Sequence, residues 1–292
     1  MILFLLPAII SLADTAATKA ALLAADRELA AAVASRPEAF FDALDPNAAV
    51  LFPGQPILRA SDARTAIVAR YGAPSSYSWT PAHAVASNDG KLGCTMGYSK
   101  FLKAADSTHS AKPGIYLTCW SRDDSGKWRI VGTQRADSPP QAPRHAMSAT
   151  LPRAPHSAMH SMGSSALKEA QDADSLFALM GSEPAGPGPA FGKYAAEDGL
   201  LLGGEEFPRG PKEIIAGFEG FPSDRLITWR PMRSFGAGTG GLAFTVGHAV
   251  SGPRPGKAGP SNAQKYFTVW RQEPDGRWLY IFDLGTPRPA DR

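Results

Sequence analysis

The sequence predicts an α+β protein built from two tandem domains of one fold. Three observations carry this. All six tryptophans pair at a constant offset of 150 positions: Trp79 with Trp229, Trp120 with Trp270 and Trp128 with Trp278. The same offset carries Phe41 onto Phe191, Arg59 onto Arg209, Thr95 onto Thr245, Gly97 onto Gly247 and Tyr116 onto Tyr266. Each half then reads as helical segments followed by a run of strands, which places helices on one face of a bent antiparallel sheet. A period this long means whole repeated domains, since solenoid repeats are far shorter.

In the first half, TAATKAALLAADRELAAAVAS (15–35) is an alanine-rich helix with Leu22, Leu29 and Val33 at helical spacing and Asp26 between them. PEAFFDAL, from Pro37, is a second short helix, and AAVLFPG (48–54) a short strand ending in a turn. Ser61 and Asp62 cap a helix through Ala63–Tyr71. Strands follow at Ser76–Ser87, Lys91–Leu102, Gly114–Arg122 and Lys127–Arg135, with DDSG (123–126) as the last hairpin turn.

The second half repeats the order. Ser165–Met180 is the first helix, and EPAGPGP (183–189) replaces part of the connection. Gly199–Gly203 is the short strand and Pro211–Phe218 the third helix. Strands follow at Leu226–Phe235, Gly241–Ser251, Ala263–Gln272 and Arg277–Leu284. The expected organisation is a signal segment at 1–13, a first domain at 14–136, a Pro/Ser/Ala-rich linker at 137–164, a second domain at 165–287 and a tail at 288–292.

Composition narrows the function classes. The formal charge is only +3 and no basic block or stripe occurs, so nucleic acid is not an expected partner. MILFLLPAIISL is too short to span a bilayer as a helix, and Ser11-Leu12-Ala13 offers small residues for cleavage. The segment reads as a secretory signal without an early Lys or Arg, hence an exported, periplasmic protein with no stable membrane insertion after processing. Cys94 and Cys119 align with Phe244 and Val269, so both are apolar core positions. A disulfide and two buried free thiols both fit that pattern.

A helical start and a sheet ending in W-x-x-x-x-x-G-x-W-x-I resembles the nuclear transport factor 2-like superfamily, its SnoaL-like branch in particular. Trp120, Gly126, Trp128 and Ile130 carry this in the first half, and Trp270, Gly276, Trp278 and Tyr280 in the second. The resemblance implies cone-shaped, cystatin-like domains, each a curved antiparallel sheet wrapped around its N-terminal helices, with a pocket at the open end. Members include isomerases, cyclases, dehydratases and binding modules, so the fold does not name an activity.

Acid–base work in such a cone needs a carboxylate or imidazole in apolar surroundings, with a neighbour to stabilise developing charge. In the first half Asp26, His83 and Tyr98 are the catalytic candidates: Asp26 beside apolar helix residues, His83 alternating with Trp79 and Pro81, Tyr98 alternating with Cys94 and Met96. Tyr71 is a wall candidate. In the second half Asp174, Arg233, His248 and Asp283 form a more charged set, and Arg233 suits an anion. Satisfied structural polars or an ion pair explain the same residues. Tyr116, Thr118 and Trp120, like Tyr266, Thr268 and Trp270, read as the outer sheet face, by which the halves pack as an internal pseudo-dimer.

His156-x-x-Met159-His160-x-Met162 in the linker has copper-ligand chemistry but no defining geometry, and no metal site is assigned. No cofactor fingerprint occurs. The expected function is binding of a small apolar or anionic ligand in a cone pocket. The alternatives are an acid–base isomerase, cyclase or dehydratase, and a structural or interaction module.

Overall fold

A computed structural model describes residues 12–71, 77–101, 112–137, 152–153, 164–203, 207–236 and 240–290. The first sheet begins after two helices, α1 (Leu12–Ser35) and α2 (Ala39–Asp42). Its strands are β1 (Leu44–Leu51), β2 (Ile57–Arg59), β3 (Tyr77–Ala86), β4 (Leu92–Phe101), β5 (Lys112–Arg122) and β6 (Trp128–Asp137), with α3 (Ala60–Tyr71) between β2 and β3. They lie in the order β2-β1-β6-β5-β4-β3.

The second half holds α4 (Ser164–Gly181), α5 (Pro187–Tyr194), β7 (Ala195–Leu202), α6 (Gly210–Gly217), β8 (Arg225–Gly236), β9 (Leu242–Pro253), β10 (Asn262–Gln272) and β11 (Trp278–Pro287), with sheet order β7-β11-β10-β9-β8. Both sheets are antiparallel except at one place. β1 runs parallel to β6, and β7 parallel to β11. A parallel pair needs a long crossover, and here the rest of each sheet supplies it.

Two short elements escaped the periodicity. The run Pro187–Tyr194 reads as a Gly/Pro loop but is helical. Gly186 turns the chain at φ 81°, and proline stands in the first turn, where no N–H is needed. The three-residue β2 pairs with β1 through Ala49↔Arg59 to Leu51↔Ile57, too short to show a period.

Each sheet is covered on both faces. One face meets the helices: Leu22, Val33, Phe40, Trp79, Tyr116 and Trp120 share a core in the first half. Phe177, Phe191, Trp270 and Tyr280 do so in the second. The other face carries Cys94, Met96, Leu117 and Cys119 from the first sheet, and Phe244, Val246, Phe267 and Val269 from the second, all in one continuous cluster. The assignment of faces is therefore the reverse of the sequence expectation. The Tyr–Thr–Trp stripe points to the helices, and the Cys/Met and Phe/Val stripe meets the other sheet. The expectation took the apolar stripe as the only core face, but a sheet buried on both faces offers two.

The contact between sheets is close. A Cβ at Gly132 would lie 2.7 Å from the Phe244 ring and 2.8 Å from that of Phe267. Gln134 Nε2 donates to the Leu284 carbonyl at 2.9 Å across the same seam. Cys94 and Cys119, facing each other in the β4–β5 register, are joined as a disulfide. This settles the alternatives left by the sequence. Linker residues 152–153 also touch both halves. His83 Nε2 donates to the Pro152 carbonyl at 2.9 Å, and the Arg153 backbone N–H donates to Asp198 at 2.9 Å.

Candidate functional site

The helix aspartates anchor both cones. Asp26, at 1% exposure, accepts from Trp79 Nε1 at 2.7 Å and from the Tyr116 hydroxyl at 2.6 Å. It reaches them because Leu22, Asp26, Leu29 and Val33 line one face of α1 at helical spacing. Asp174 repeats the arrangement on α4, accepting from the Tyr266 hydroxyl at 2.8 Å. Next along each strand, Trp120 Nε1 donates to Thr95 Oγ1 at 3.0 Å and Trp270 Nε1 to Thr245 Oγ1 at 2.8 Å. The helix-facing polar scaffold is thus nearly the same in the two halves.

Two positions on that face differ in character. Thr118 Oγ1 meets Thr133 Oγ1 at 2.8 Å in the first cone, whereas in the second Thr268 donates to Asp283. Opposite Tyr116 stands Arg135, and opposite Tyr266 stands Gly285. Arg135, 4% exposed, occupies the corresponding place inside the first cone among the described residues. Its guanidinium carbon lies 4.6 Å from the Tyr116 ring centroid, 4.7 Å from Tyr77 and 5.2 Å from Trp79.

In the second cone the smaller Ile227 and Gly285 take the places of Tyr77 and Arg135, and a cavity of about 260 Å³ remains. Phe177, Phe191 and Trp229 wall it, and Tyr266, Thr268 and Asp283 give its polar atoms. Among the described residues no Lys or Arg lines it. A larger polar cavity of about 560 Å³ lies beside Arg271, Glu273, Asp275 and Arg277. Within it Arg271 pairs with Glu273 and Arg277 with Asp275.

Burial sets the electrostatics of the open cone. It pushes the Asp283 carboxyl up to about 7, against the Thr268 hydrogen bond, and the nearby Asp174 charge adds to the rise. Burial likewise pushes Asp174 up to about 6, with Thr245, Tyr266 and Trp229 pulling the other way. Desolvation and then the Asp174 charge raise Tyr266 well above an ordinary phenol. A carboxyl poised near neutrality in an apolar cavity can donate a hydrogen bond, accept one, or exchange a proton.

The remaining sequence candidates go elsewhere. Asp26, His83 and Tyr98 do not converge. His83 would share the Trp79 face by simple alternation, but the β3–β4 register shifts between Pro81 and His83. That bulge turns His83 to the other face, where it packs 6.2 Å from the Phe282 ring, and burial pushes its pKa down to about 4. Tyr98 packs against the inter-sheet cluster.

The same bulge recurs between Pro231 and Arg233. Arg233 therefore leaves the cone, lies 5.4 Å over the Phe235 ring and donates to the Asn47 carbonyl of the first half. His248 alternates with the cavity-lining Ala249 and so stands on the opposite face. Asp283 lines the cavity, and Asp174 lies behind Tyr266. The Tyr71 side chain, the apolar stretch 1–11 and the linker His and Met residues lie outside the described residues. Among the described residues no three His, Cys, Asp or Glu side chains gather as a metal site, and no helix is long and apolar enough to cross a membrane.

The residues that sequence reasoning missed are Tyr266, Trp229, Arg135 and Gly285. The signal was present in the alignment of halves, where Arg135 meets Gly285 and Thr133 meets Asp283.

Fold and site define a class: a protein of two cone-shaped α+β domains, with a partly apolar, acid-bearing cavity in the second. No family model matches the chain, and no curated protein matches it. Solved structures similar to part of it include proteins described as NTF2-like. One from Novosphingobium aromaticivorans, with a cystatin-like fold, is 16% identical, with 41% of this chain and 80% of that one covered and a TM-score of 0.35. A ketosteroid isomerase-like protein from Erwinia carotovora atroseptica is 14% identical, over 42% of this chain and 97% of that one, at 0.36. An NTF2-like protein of unknown function from Pseudomonas putida is 16% identical, over 44% and 91%, at 0.37. Likenesses at this level say nothing about activity.

Proposed function

We propose that the protein binds a small, largely apolar molecule in the cone of its second half, with Asp283 as the polar contact. The observation that carries this is a buried carboxyl, pushed up to about 7, facing a cavity of about 260 Å³ walled by aromatic side chains. An anionic ligand, one arm of the sequence expectation, loses its support, since Arg233 lies outside and two raised carboxyls would repel it. The first cone, with Arg135 inside it, serves as scaffold.

The test is Trp fluorescence and calorimetry with neutral apolar probes of about four to eight heavy atoms, against wild type and Gly285→Arg. Saturable binding lost in the variant supports the reading; equal binding by both removes it.

Acid–base catalysis is a second reading, now resting on Asp283 with Tyr266 and Asp174 instead of Asp26, His83 and Tyr98. Proton exchange at Asp283 between bound substrate and water is its chemical content. We further infer that the halves form an internal pseudo-dimer in solution, supported by the shared apolar cluster. The Cys94–Cys119 disulfide supports export to an oxidising compartment.

A further inference from the structure

The two cones differ in their balance of buried charge, and the difference names a ligand class. The first holds one buried aspartate, Asp26, and one buried guanidinium, Arg135. The second holds two buried aspartates, Asp174 and Asp283, while Gly285 stands where the cation would be. The other buried cations of the second half do not compensate. Lys265 alternates with Tyr266 onto the opposite face and donates to the Pro287 carbonyl at 2.9 Å. Arg271 is bound to Asp198 and Glu273.

The first cone also shows how its cation is held. Arg135 Nε and Nη1 reach no hydrogen-bond partner among the described residues, and the guanidinium instead sits against the rings of Tyr116, Tyr77 and Trp79. Tyr266 and Trp229 occupy the Tyr116 and Trp79 positions of the second cone and line its cavity. One ring is lost, since Ile227 replaces Tyr77, and one carboxylate is gained, since Asp283 replaces Thr133. A Cβ at Gly285 would meet only Gln264 Oε1, at 3.7 Å, so space exists where the Arg135 stem runs in the first cone.

We propose that the second cone takes a small organic monocation, a guanidinium or ammonium group on a short apolar stem, which occupies the place that Arg135 fills in the first. This rests on the ligand-binding reading of that cavity and specifies its chemistry. The cation neutralises Asp283 through a charge-assisted hydrogen bond, and its stem lies along Phe177 and Phe191. Among the described residues, the titratable groups facing Asp283 are Asp174 from α4, Tyr266 from β10 and Tyr280 from its own strand; β7 and β8 present the apolar Leu202 and Ile227. The phenols stay neutral at working pH, so cation affinity follows the carboxyls. It rises as pH climbs through 7 and levels above it.

The experiment is isothermal titration of the full chain with n-butylguanidinium and with its neutral near-isostere n-butylurea, at pH 8 and pH 5.5. The expected result is about a tenfold or greater preference for the guanidinium at pH 8, which shrinks at pH 5.5. Asp283→Asn brings that preference close to one while butylurea still binds. A circular-dichroism melt confirms that the variant is folded, and Asp283→Ser is the substitute should it not be. Butylurea binding as well as butylguanidinium at pH 8 overturns the cation class and leaves the pocket reading standing. Binding of neither probe overturns both. A guanidinium preference that survives Asp283→Asn also overturns the proposal, because the cation then sits elsewhere.

Discussion

Arg135 and Gly285 hold the same place in two sheets: each is the cross-strand partner of a tyrosine, Tyr116 or Tyr266, whose hydroxyl binds a buried helix aspartate. One side chain lies inside its cone and the absence of the other leaves a cavity. The divergence sits inside a shared scaffold of Trp, Tyr, Thr and Asp, so the two halves share their frame and differ in what occupies it.

Removing Arg135 should open the first cone. Arg135→Gly takes a buried side chain away from three aromatic rings and leaves Asp26 without its nearby cation. A loss of about 3 kcal/mol or more is expected, as for large-to-small core changes. Ethylguanidinium at millimolar concentration should recover part of it, read as a dose-dependent rise in melting temperature larger than that of wild type. An equal rise in both proteins would show that the guanidinium position is not vacated as described.

Asp283 and Asp174 make stability fall with rising pH. Their folded-state pKa values, about 7 and about 6, lie above the unfolded value, so the folded chain holds these protons more tightly. Their contribution is full below the unfolded value and is lost as pH rises toward 7, at up to about 1.4 kcal/mol per pH unit for each group. Asp283→Asn should therefore be more stable than wild type at pH 8, on the order of 1–3 kcal/mol, and close to it at pH 4. Urea denaturation across pH 4–8 checks the sign.

His83 acts in the opposite direction. Its pKa is pushed down to about 4 by burial, so the unfolded chain takes the proton first as pH falls. Stability from this group is complete above the ordinary histidine range and is lost as pH drops from about 6.5 toward 4. His83→Gln, which keeps a donor for the Pro152 carbonyl, should gain on wild type as pH falls from 7 to 4.5. A gap in melting temperature that stays flat with pH contradicts the burial of a neutral imidazole.

The seam between sheets should be intolerant of volume. Gly132→Val places methyl groups inside the Phe244 and Phe267 rings, and a cost of about 1–3 kcal/mol or more is expected from overpacking. If the sheets separate instead, denaturation should split into two transitions while each cone keeps its own core. A single unchanged transition would mean that the seam is looser than the contacts indicate.

The Cys94–Cys119 bond closes a loop with a sequence separation of 25. Reduction should cost about 3.5 kcal/mol on the loop-entropy scale. Melting with and without a phosphine reductant measures this, and thiol counting under denaturing, non-reducing conditions should find no free cysteine.

Much of the fold was legible in the sequence because it rests on local chemistry. Alanine-rich stretches make helices, DDSG at 123–126 and its counterpart EPDG at 273–276 make hairpin turns, and the offset of 150 aligns the halves. Asp26 was visible as an acid beside apolar helix residues, Asp174 as its nearest match in the second half, and Asp283 as an acid replacing Thr133. What the sequence could not decide was the face each strand residue takes. Alternation carries a residue to a known side only while the register is unbroken, and the bulges after Pro81 and Pro231 send His83 and Arg233 across the sheet.

The sequence by itself thus determined the two-domain α+β architecture, the order of the longer helices and strands and the supply of buried acids. Only the tertiary structure decided which face of each sheet meets the helices, where Arg135 lies in the first cone and which acid faces the cavity of the second. The physical reason is that both faces of these sheets are buried. With no solvent side to mark polarity, the hydrophobic pattern loses its direction, and the packing of Arg135, Phe244 and the helix aspartates supplies it instead.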